Sequence, residues 1–152
     1  MNPDRPDAKL TSVRRKLVEE EPSGEIIGAF YTVYNTLGYG LSEIVYLRAL
    51  EVELGRRGVC VQREVPVEIV YQGVHVGTYR IDMVGERRVV VEVKATQSLA
   101  DASKRQLLSY VTAIKLDLGL LLHFGPRAAY YRILGKRSAR CGRNDQAHPG
   151  DP

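Results

Sequence analysis

Two apolar runs with a helical pattern between them constrain the fold of this chain most. The first, RVVVEVKA at residues 88–95, is rich in β-branched valine, and the second, LGLLLHF at residues 118–124, is typical of one buried strand. Between them, Leu107 and Val111 belong to an apolar stripe that predicts a helix over residues 101–116. We therefore expect an α/β domain in which helices pack against a sheet that contains both runs.

The other elements follow from changes in the period of the apolar residues. Helical spacing predicts one helix over residues 26–37, which ends at the sequence GYG, and a second that begins after Ser42. Period-two alternation then predicts strands on both sides of a turn at Gln72–Gly73, and a tight turn at Gly85–Glu86 leads to the next strand. A last strand is expected over residues 128–134. The order is helix, helix, three strands, helix and two strands, which indicates a mixed β-sheet.

The two ends of the chain differ in composition from its middle. Residues 1–24 are polar and contain three prolines, so we expect a flexible N-terminal segment with at most a short helix around residues 11–20. Residues 135–152 are rich in glycine and arginine and predict a basic, disordered tail. A single domain over residues 25–134 is expected between them.

Positive charge is concentrated near the C-terminus. The chain has a net charge of +4, and residues 127–143 contain six basic and no acidic side chains. This stretch is either a strip that contacts phosphate groups or a solvated tail.

Several classes of protein are disfavoured by composition. No apolar run approaches the roughly 20 residues of a membrane span, and the first residues have no apolar segment typical of a secretion signal. Cys60 and Cys141 lie far apart, and no Cys/His group has the spacing of a zinc site. These observations predict a reduced, cytoplasmic protein without a membrane partner.

Charged residues interrupt the strands where burial would be costly. Glu92 and Lys94 share one face of their strand, and a tight connection can bring Asp82 of the preceding strand beside Glu92. Simple alternation predicts that Ile81 and Met83 both point away from Asp82. Each charge alone fits a surface ion pair, but that explanation is weaker for the whole set beside valine-rich strands.

The second predicted helix carries a further acidic residue. Glu43 shares a helical stripe with Leu47, Leu50 and Leu54, which should face the core. It is either part of a buried site or a first-turn acid that interacts with the helix dipole and points to water.

Two carboxylates held close together repel unless a cation lies between them. Mg²⁺ or Mn²⁺ suits such oxygen ligands, binds phosphate oxygens and lowers the pKa of bound water. A nearby lysine can orient that water. Glu43, Asp82, Glu92 and Lys94 are therefore candidates for a metal site that hydrolyses phosphodiester bonds.

The motifs also match a known pattern. GLSEIVY at residues 40–46, Asp82 followed by EVK at residues 92–94, and RQLLSY at residues 105–110 with LGLLLHFG after it are similar to the GxxExxY family of the PD-(D/E)XK nuclease superfamily. The resemblance covers residues 26–134. It implies a restriction-endonuclease-like core, a mixed β-sheet flanked by helices, and metal-dependent nuclease chemistry with Mg²⁺ or Mn²⁺.

The resemblance also assigns roles by position. It makes Asp82 and Glu92 metal ligands and Lys94 the catalytic lysine, with Glu43 as the helix-borne acid of the metal site. Gln106 and Tyr110 become residues that pack beside the site and contact substrate, and Tyr46 becomes a support for Glu43. Two positions where the family often carries histidine are occupied here by Tyr34 and Ser103.

Three functions follow from these patterns. The first is a metal-dependent nuclease that acts on nucleic acid, with DNA as the expected substrate. The second is a non-catalytic nucleic-acid-binding module, which the basic stretch at residues 127–143 motivates. The third is a regulatory or interaction protein in which the acidic cluster is a stabilising ion network. His123, at the end of a buried strand, is expected to be packed rather than a ligand.

Overall fold

The structure, a computed structural model, describes the backbone of residues 6–135 and the side chains of residues 22–135. Within that part of the chain, the predicted order of helices and strands is confirmed. The elements are α1 (Pro6–Leu37), α2 (Glu43–Arg56), β1 (Val61–Tyr71), β2 (Val74–Gly85), β3 (Val89–Lys94), α3 (Asp101–Ala113), β4 (Leu118–Phe124) and β5 (Ala128–Leu134).

The five strands form one mixed sheet in the order β1-β2-β3-β4-β5. Three neighbouring pairs are antiparallel, whereas β3 and β4 are parallel. A parallel pair needs a crossover connection, and α3 supplies it. The two apolar runs that dominate the sequence therefore lie side by side, with Lys94 opposite His123 at their carboxyl ends.

Each face of the sheet has its own apolar core. On one face, α1 and α2 bury a cluster that includes Phe30, Leu50, Val91 and Leu120. On the other, α3 buries a smaller cluster that includes Leu107. The helices thus flank the sheet on both sides, in agreement with the predicted architecture.

Two helix boundaries differ from the prediction. The backbone of α1 is helical from Pro6 and passes through Pro22, where a flexible segment with a short helix was expected. The division into a terminal segment, a domain and a tail stays a prediction, and residues 136–152 lie outside the described part. In α3 the helix ends at Ala113, because Lys115 adopts a left-handed φ of 60° and Leu116 donates its N–H to the Val111 carbonyl. This is a Schellman stop with lysine in the position that usually holds glycine.

The turns follow from backbone conformation. Gln72 and Gly73 have φ values of 48° and 75°, which is the mirror-image turn that joins two-residue hairpins, so the predicted turn is confirmed. The next turn lies one residue later than expected, with positive φ at Glu86 and Arg87. The Glu86 side chain accepts a hydrogen bond from the Cys60 N–H and ties this turn to the start of β1.

The side chains of β2 do not alternate regularly between the two faces of the sheet. This irregularity lies where β2 stops pairing with β3. Met83 lies in the cluster under α1 and α2, but Ile81 lies in the cluster under α3, so the prediction that both share a face is wrong. The backbone pairing of β2 with β3 covers only the segment from Met83 to Gly85. On the N-terminal side of Met83, β2 is no longer paired with β3. We call this opening the β2–β3 fork. Asp82 is the first residue inside it.

The contact between α3 and β4 depends on a small residue. A Cβ at Gly119 would lie 2.8 Å from Val111 Cγ2 and 2.9 Å from Leu107 Cγ. We expect Gly119→Ala to lower the free energy of unfolding by about 1–3 kcal/mol through overpacking. Urea denaturation measures this change. Gly77→Ala, where nothing lies within 4 Å, is the matched control and should stay within about 0.5 kcal/mol. Equal effects of the two changes would contradict this packing.

Candidate active site

Two carboxylates are held together at the β2–β3 fork. Glu92 Oε1 accepts a hydrogen bond from the Asp82 N–H at 3.1 Å, and Asp82 Oδ2 accepts one from the Val93 N–H at 2.9 Å. In these two bonds a carboxylate accepts from a main-chain N–H that would bond to a main-chain carbonyl in an unbroken sheet. The strands thus separate without leaving these buried N–H groups unpaired. The predicted juxtaposition of Asp82 and Glu92 is observed.

Burial makes this pair electrostatically costly. Glu92 is only 6% exposed, and burial raises its pKa to about 8, with a further upward contribution from the charge of Asp82 and a downward one from Lys94. Near neutral pH the metal-free protein therefore holds a proton on Glu92.

Lys94 lies at the end of β3, two residues after Glu92 and on the same face of the strand. Its side chain is half-buried. The ammonium group is close enough to lower the pKa of Glu92. The sequence prediction that Glu92 and Lys94 act in one place agrees with this geometry.

Helix α3 adds an aromatic residue to the same neighbourhood. Tyr110 is 5% exposed, and its pKa is raised by burial first and then by Glu92, Tyr79 and Asp82. Gln106 lies one turn earlier on the same face of α3 and is exposed. Tyr110 thus lies near the acidic pair, whereas a contact of Gln106 with the site stays a prediction.

Tyr46 anchors the segment that leads into α2. Its buried hydroxyl donates to the Gly38 carbonyl at 2.5 Å and accepts from the Leu41 N–H at 3.2 Å. Its ring stacks on Phe124 with 4.1 Å between centroids. This arrangement fixes the loop before α2 and the place where that helix begins, next to the carboxyl end of β4. It agrees with a supporting role for Tyr46.

Glu43 is the first residue of α2 and is half-buried. Among residues 22–135, no three His, Cys, Asp or Glu side chains converge as a metal-binding group. The expected convergence of Glu43 with Asp82 and Glu92 is therefore not seen. Helix α2 packs on the sheet face that Val91 and Val93 line, and the alternation of β3 turns Glu92 toward the opposite face. A role for Glu43 at the metal stays a prediction.

The Asp82–Glu92 pair has the chemistry of a hard-cation site. It supplies carboxylate oxygens, which Mg²⁺ and Mn²⁺ prefer, and a small number of protein ligands suffices for Mg²⁺ because it retains water. A bound cation would also counteract the two main causes of the raised Glu92 pKa, which are burial first and then the charge of Asp82. The residues present therefore fit a divalent metal.

A hydrogen-bond network that sequence reasoning missed fixes the segment after Lys94. His123 is 7% exposed, and its Nε2 lies 2.7 Å from the Thr96 carbonyl. Because a carbonyl only accepts, this ring nitrogen carries the hydrogen. The Thr96 hydroxyl in turn donates to the Ser98 carbonyl at 2.7 Å. His123 is packed, as expected, but it also holds the loop that joins Lys94 to α3.

Glycine and tyrosine complete this network. A Cβ at Gly125 would lie 2.6 Å from His123 Cε1, so the ring needs a glycine at that position. Tyr34 of α1 donates its hydroxyl to the Gly125 carbonyl at 2.7 Å. The departure from histidine at position 34 thus has a structural use in this chain. The aromatic residue at position 34 is the sequence feature that could have indicated this contact.

Comparisons with known proteins identify the family of the chain. The family model of the PD-(D/E)XK nuclease superfamily matches residues 20–133, which is most of the chain. The chain therefore belongs to the PD-(D/E)XK nuclease superfamily. No curated protein matches the chain in sequence.

A solved structure supports the fold. The crystal structure of SSO0001 is similar with a TM-score of 0.50 and 23% identity, over 80% of this chain and 62% of the SSO0001 chain. The chain thus spans less than two thirds of that protein. Together with the family model, this likeness confirms the predicted restriction-endonuclease-like α/β fold. Within the described residues, no helix is long and apolar enough to cross a membrane.

The His123 network leads to a stability prediction. His123→Ala removes a buried ring and the hydrogen bond that it donates to the Thr96 carbonyl, which should lower the free energy of unfolding by about 1–3 kcal/mol. Chemical denaturation followed by circular dichroism measures this. His75→Ala is the matched control, since His75 is exposed and contacts only hairpin residues Glu68 and Thr78 among the described contacts; it should cost less than about 1 kcal/mol. Equal losses would contradict a structural role for the buried ring.

Proposed function

We propose that this protein is a Mg²⁺- or Mn²⁺-dependent nuclease that hydrolyses phosphodiester bonds in DNA. The observation that carries the proposal is the Asp82–Glu92 pair, held by reciprocal hydrogen bonds at the β2–β3 fork beside Lys94. Membership of a superfamily of nucleases supports phosphodiester hydrolysis as the chemistry of these residues. The GLSEIVY and RQLLSY motifs support placing the chain in the GxxExxY family of that superfamily.

Each residue has a distinct task in this proposal. Asp82 and Glu92 would hold the metal, and a contribution from Glu43, the first residue of α2, would require it to approach this pair. When bound, the ion would polarise a phosphate oxygen and acidify its bound water. Lys94 would position the attacking water and offset charge that develops on the phosphate. Gln106 and Tyr110 would flank the substrate from α3.

The raised Glu92 pKa gives the proposal a pH dependence. A metal ligand must be deprotonated, so metal binding near pH 7 would release the proton from Glu92. Metal affinity is then expected to rise with pH up to about 8. A site made only of ordinary carboxylates would already be fully ionised at neutral pH.

The basic strip contributes to the proposed nucleic-acid contact in part only. Arg127 is exposed, but Arg132 donates to the Ser23 hydroxyl of α1 at 3.2 Å and is thus used within the fold. The other four basic residues of the strip lie outside the described part. We therefore place the main contact at the fork and assign the strip a secondary, salt-dependent role.

Loss of Lys94 should slow turnover strongly, with little effect on the fold. We expect Lys94→Ala to lower kcat on a DNA substrate about 10²-fold or more, because positioned proton-transfer groups contribute that much. KM should change little. Lys115→Asn, at the far end of α3 in a left-handed conformation that asparagine tolerates, is the matched loss of a lysine and should leave kcat unchanged. The assay is cleavage of labelled DNA in Mn²⁺ and in Mg²⁺.

If the wild-type protein leaves single- and double-stranded DNA intact in both metals, the proposed nuclease activity is contradicted. Cleavage by the Lys94→Ala variant at the wild-type rate would contradict the assigned lysine. Retained binding without cleavage would favour the non-catalytic module instead.

Glu92→Gln should stabilise the metal-free protein above neutral pH. The carboxyl has a pKa of about 8 in the folded protein and about 4.3 in the unfolded chain, so the unfolded state binds fewer protons between these values. The contribution of Glu92 to stability is therefore lost as pH rises from about 4.3 to about 8. Thermal melts in EDTA should show the variant several degrees above wild type at pH 8.5 and no such advantage near pH 4.

The same melts can be repeated with Mn²⁺ present. The ion should raise the melting temperature of the wild type and not that of Glu92→Gln. Glu68→Gln, an exposed acid on the β1–β2 hairpin, is the matched control and should respond like wild type. A stabilisation of the Glu92 variant that is the same at pH 4 and 8.5 would contradict the raised pKa.

A further inference from the structure

An exposed aromatic side chain borders the acidic pair. Tyr79 lies on the part of β2 that no longer pairs with β3, and it is 51% exposed. Its ring contacts the Tyr110 ring at 5.7 Å between centroids and an angle of 46°. Tyr79 is three residues from Asp82 along β2, which places it about 10 Å along the strand from the acidic pair.

The two tyrosines differ in access. Tyr110 is 5% exposed, so its ring is covered, whereas about half of the Tyr79 surface is open to solvent. The strand neighbours of Tyr79 on the same sheet face are buried, with Val67 at 2% and Ile81 at 0%. One part of the Tyr79 ring is therefore fixed by Tyr110 and the sheet, and the rest faces solvent at the mouth of the fork.

We propose that the Tyr79 ring is a stacking platform for an unpaired base, so that the substrate of this site is a single-stranded or locally unpaired nucleic acid. The proposal rests on the proposed nuclease function and specifies its substrate class. Proteins bind single strands by stacking successive bases on aromatic side chains, and any base can stack because every base has a π-face. In an intact duplex the faces of the bases are already stacked on each other and are not available to Tyr79.

The position of Tyr79 fits a base next to the reacting phosphate. A phosphate at Asp82 and Glu92 would leave the adjoining nucleotide within reach of a ring about 10 Å away along β2. A ring that is held on one side loses little conformational entropy when a base stacks on the other. The residue on α3 that the sequence assigned to substrate contact, Tyr110, then acts through Tyr79 as a positioning residue.

Binding measurements with the full chain test the platform without any need for turnover. Fluorescence anisotropy in EDTA compares labelled oligo-dT, oligo-U and a duplex of equal length for the wild type, Tyr79→Leu and Tyr79→Trp. We expect Tyr79→Leu to raise the Kd for single strands about 5- to 100-fold, the usual effect of losing one stacked base. The Kd for the duplex should change less than about twofold. Tyr79→Trp should retain single-strand binding, because it retains a ring.

The chain offers a matched control on the same hairpin. Tyr71 is 65% exposed at the tip of β1, far along the sheet edge from the fork, and Tyr71→Leu should leave all three Kd values unchanged. If Tyr79→Leu weakens binding of oligo-dT and oligo-U equally, the result supports stacking that is common to DNA and RNA. If it weakens binding of only one of them, the result supports the platform and identifies the type of nucleic acid that the site prefers. Circular dichroism melts of each variant confirm that the fold is retained.

Other outcomes would overturn the platform. These are a Tyr79→Leu variant that binds single strands as the wild type does, one that loses duplex and single strand equally, or a Tyr79→Trp variant as weak as Tyr79→Leu. Failure of the nuclease is distinguishable from failure of the platform. If single-strand binding depends on Tyr79 but no cleavage occurs, only the proposed nuclease activity is contradicted. If cleavage occurs but the Kd values do not depend on Tyr79, only the platform is contradicted.

Discussion

The reciprocal hydrogen bonds between Asp82 and the β3 strand are the interaction on which the rest of the site depends. A sheet that continued its ladder past Met83 would bury both strands side by side and leave no opening. Here the Glu92 carboxylate accepts the Asp82 N–H, and the Asp82 carboxylate accepts the Val93 N–H. The strands can separate because their main-chain donors remain satisfied. The two groups that hold the fork open are also the groups proposed to bind metal.

Packing around the fork keeps this costly pair in place. Helix α3 covers one face and brings Tyr110 beside the carboxylates, while α1 and α2 fill the other face. The loop after Lys94 is fixed by His123, and through Gly125 and Tyr34 it is tied to α1. A buried acid with a pKa of about 8 lowers stability at high pH. The apolar clusters on both faces offset that cost, and a bound cation would remove it.

Much of the architecture was predictable because the apolar periods of the strands and helices agree with their final environment. Strands β4 and β5 begin and end at the predicted residues, since both flanks are polar turns. The predicted sheet face of Ile81 was wrong. Period-two alternation assumes a continuous ladder of main-chain hydrogen bonds, and the side chains of Asp82 and Glu92 interrupt that ladder. The extension of α3 to residue 116 failed since Lys115 adopts a left-handed conformation that its residue type does not signal.

The candidate site was predictable only in part for a similar reason. Asp82, Glu92 and Lys94 are close in a hairpin or within one strand, so their meeting follows from local geometry. The place of Glu43 depends on the sheet face on which α2 packs, and the role proposed for Tyr79 depends on the separation of β2 from β3. Neither can be read from the local sequence.

Metal binding by the Asp82–Glu92 pair can be measured by calorimetric titration of the full chain with Mn²⁺ at pH 7, in two buffers of different ionisation enthalpy. We expect a single Mn²⁺ to bind, with heats that differ between the buffers because Glu92 releases its proton on binding. Asp82→Asn should remove this binding. Absence of Mn²⁺ binding, or binding with equal heats in both buffers, would contradict the claim that this buried pair is a metal site.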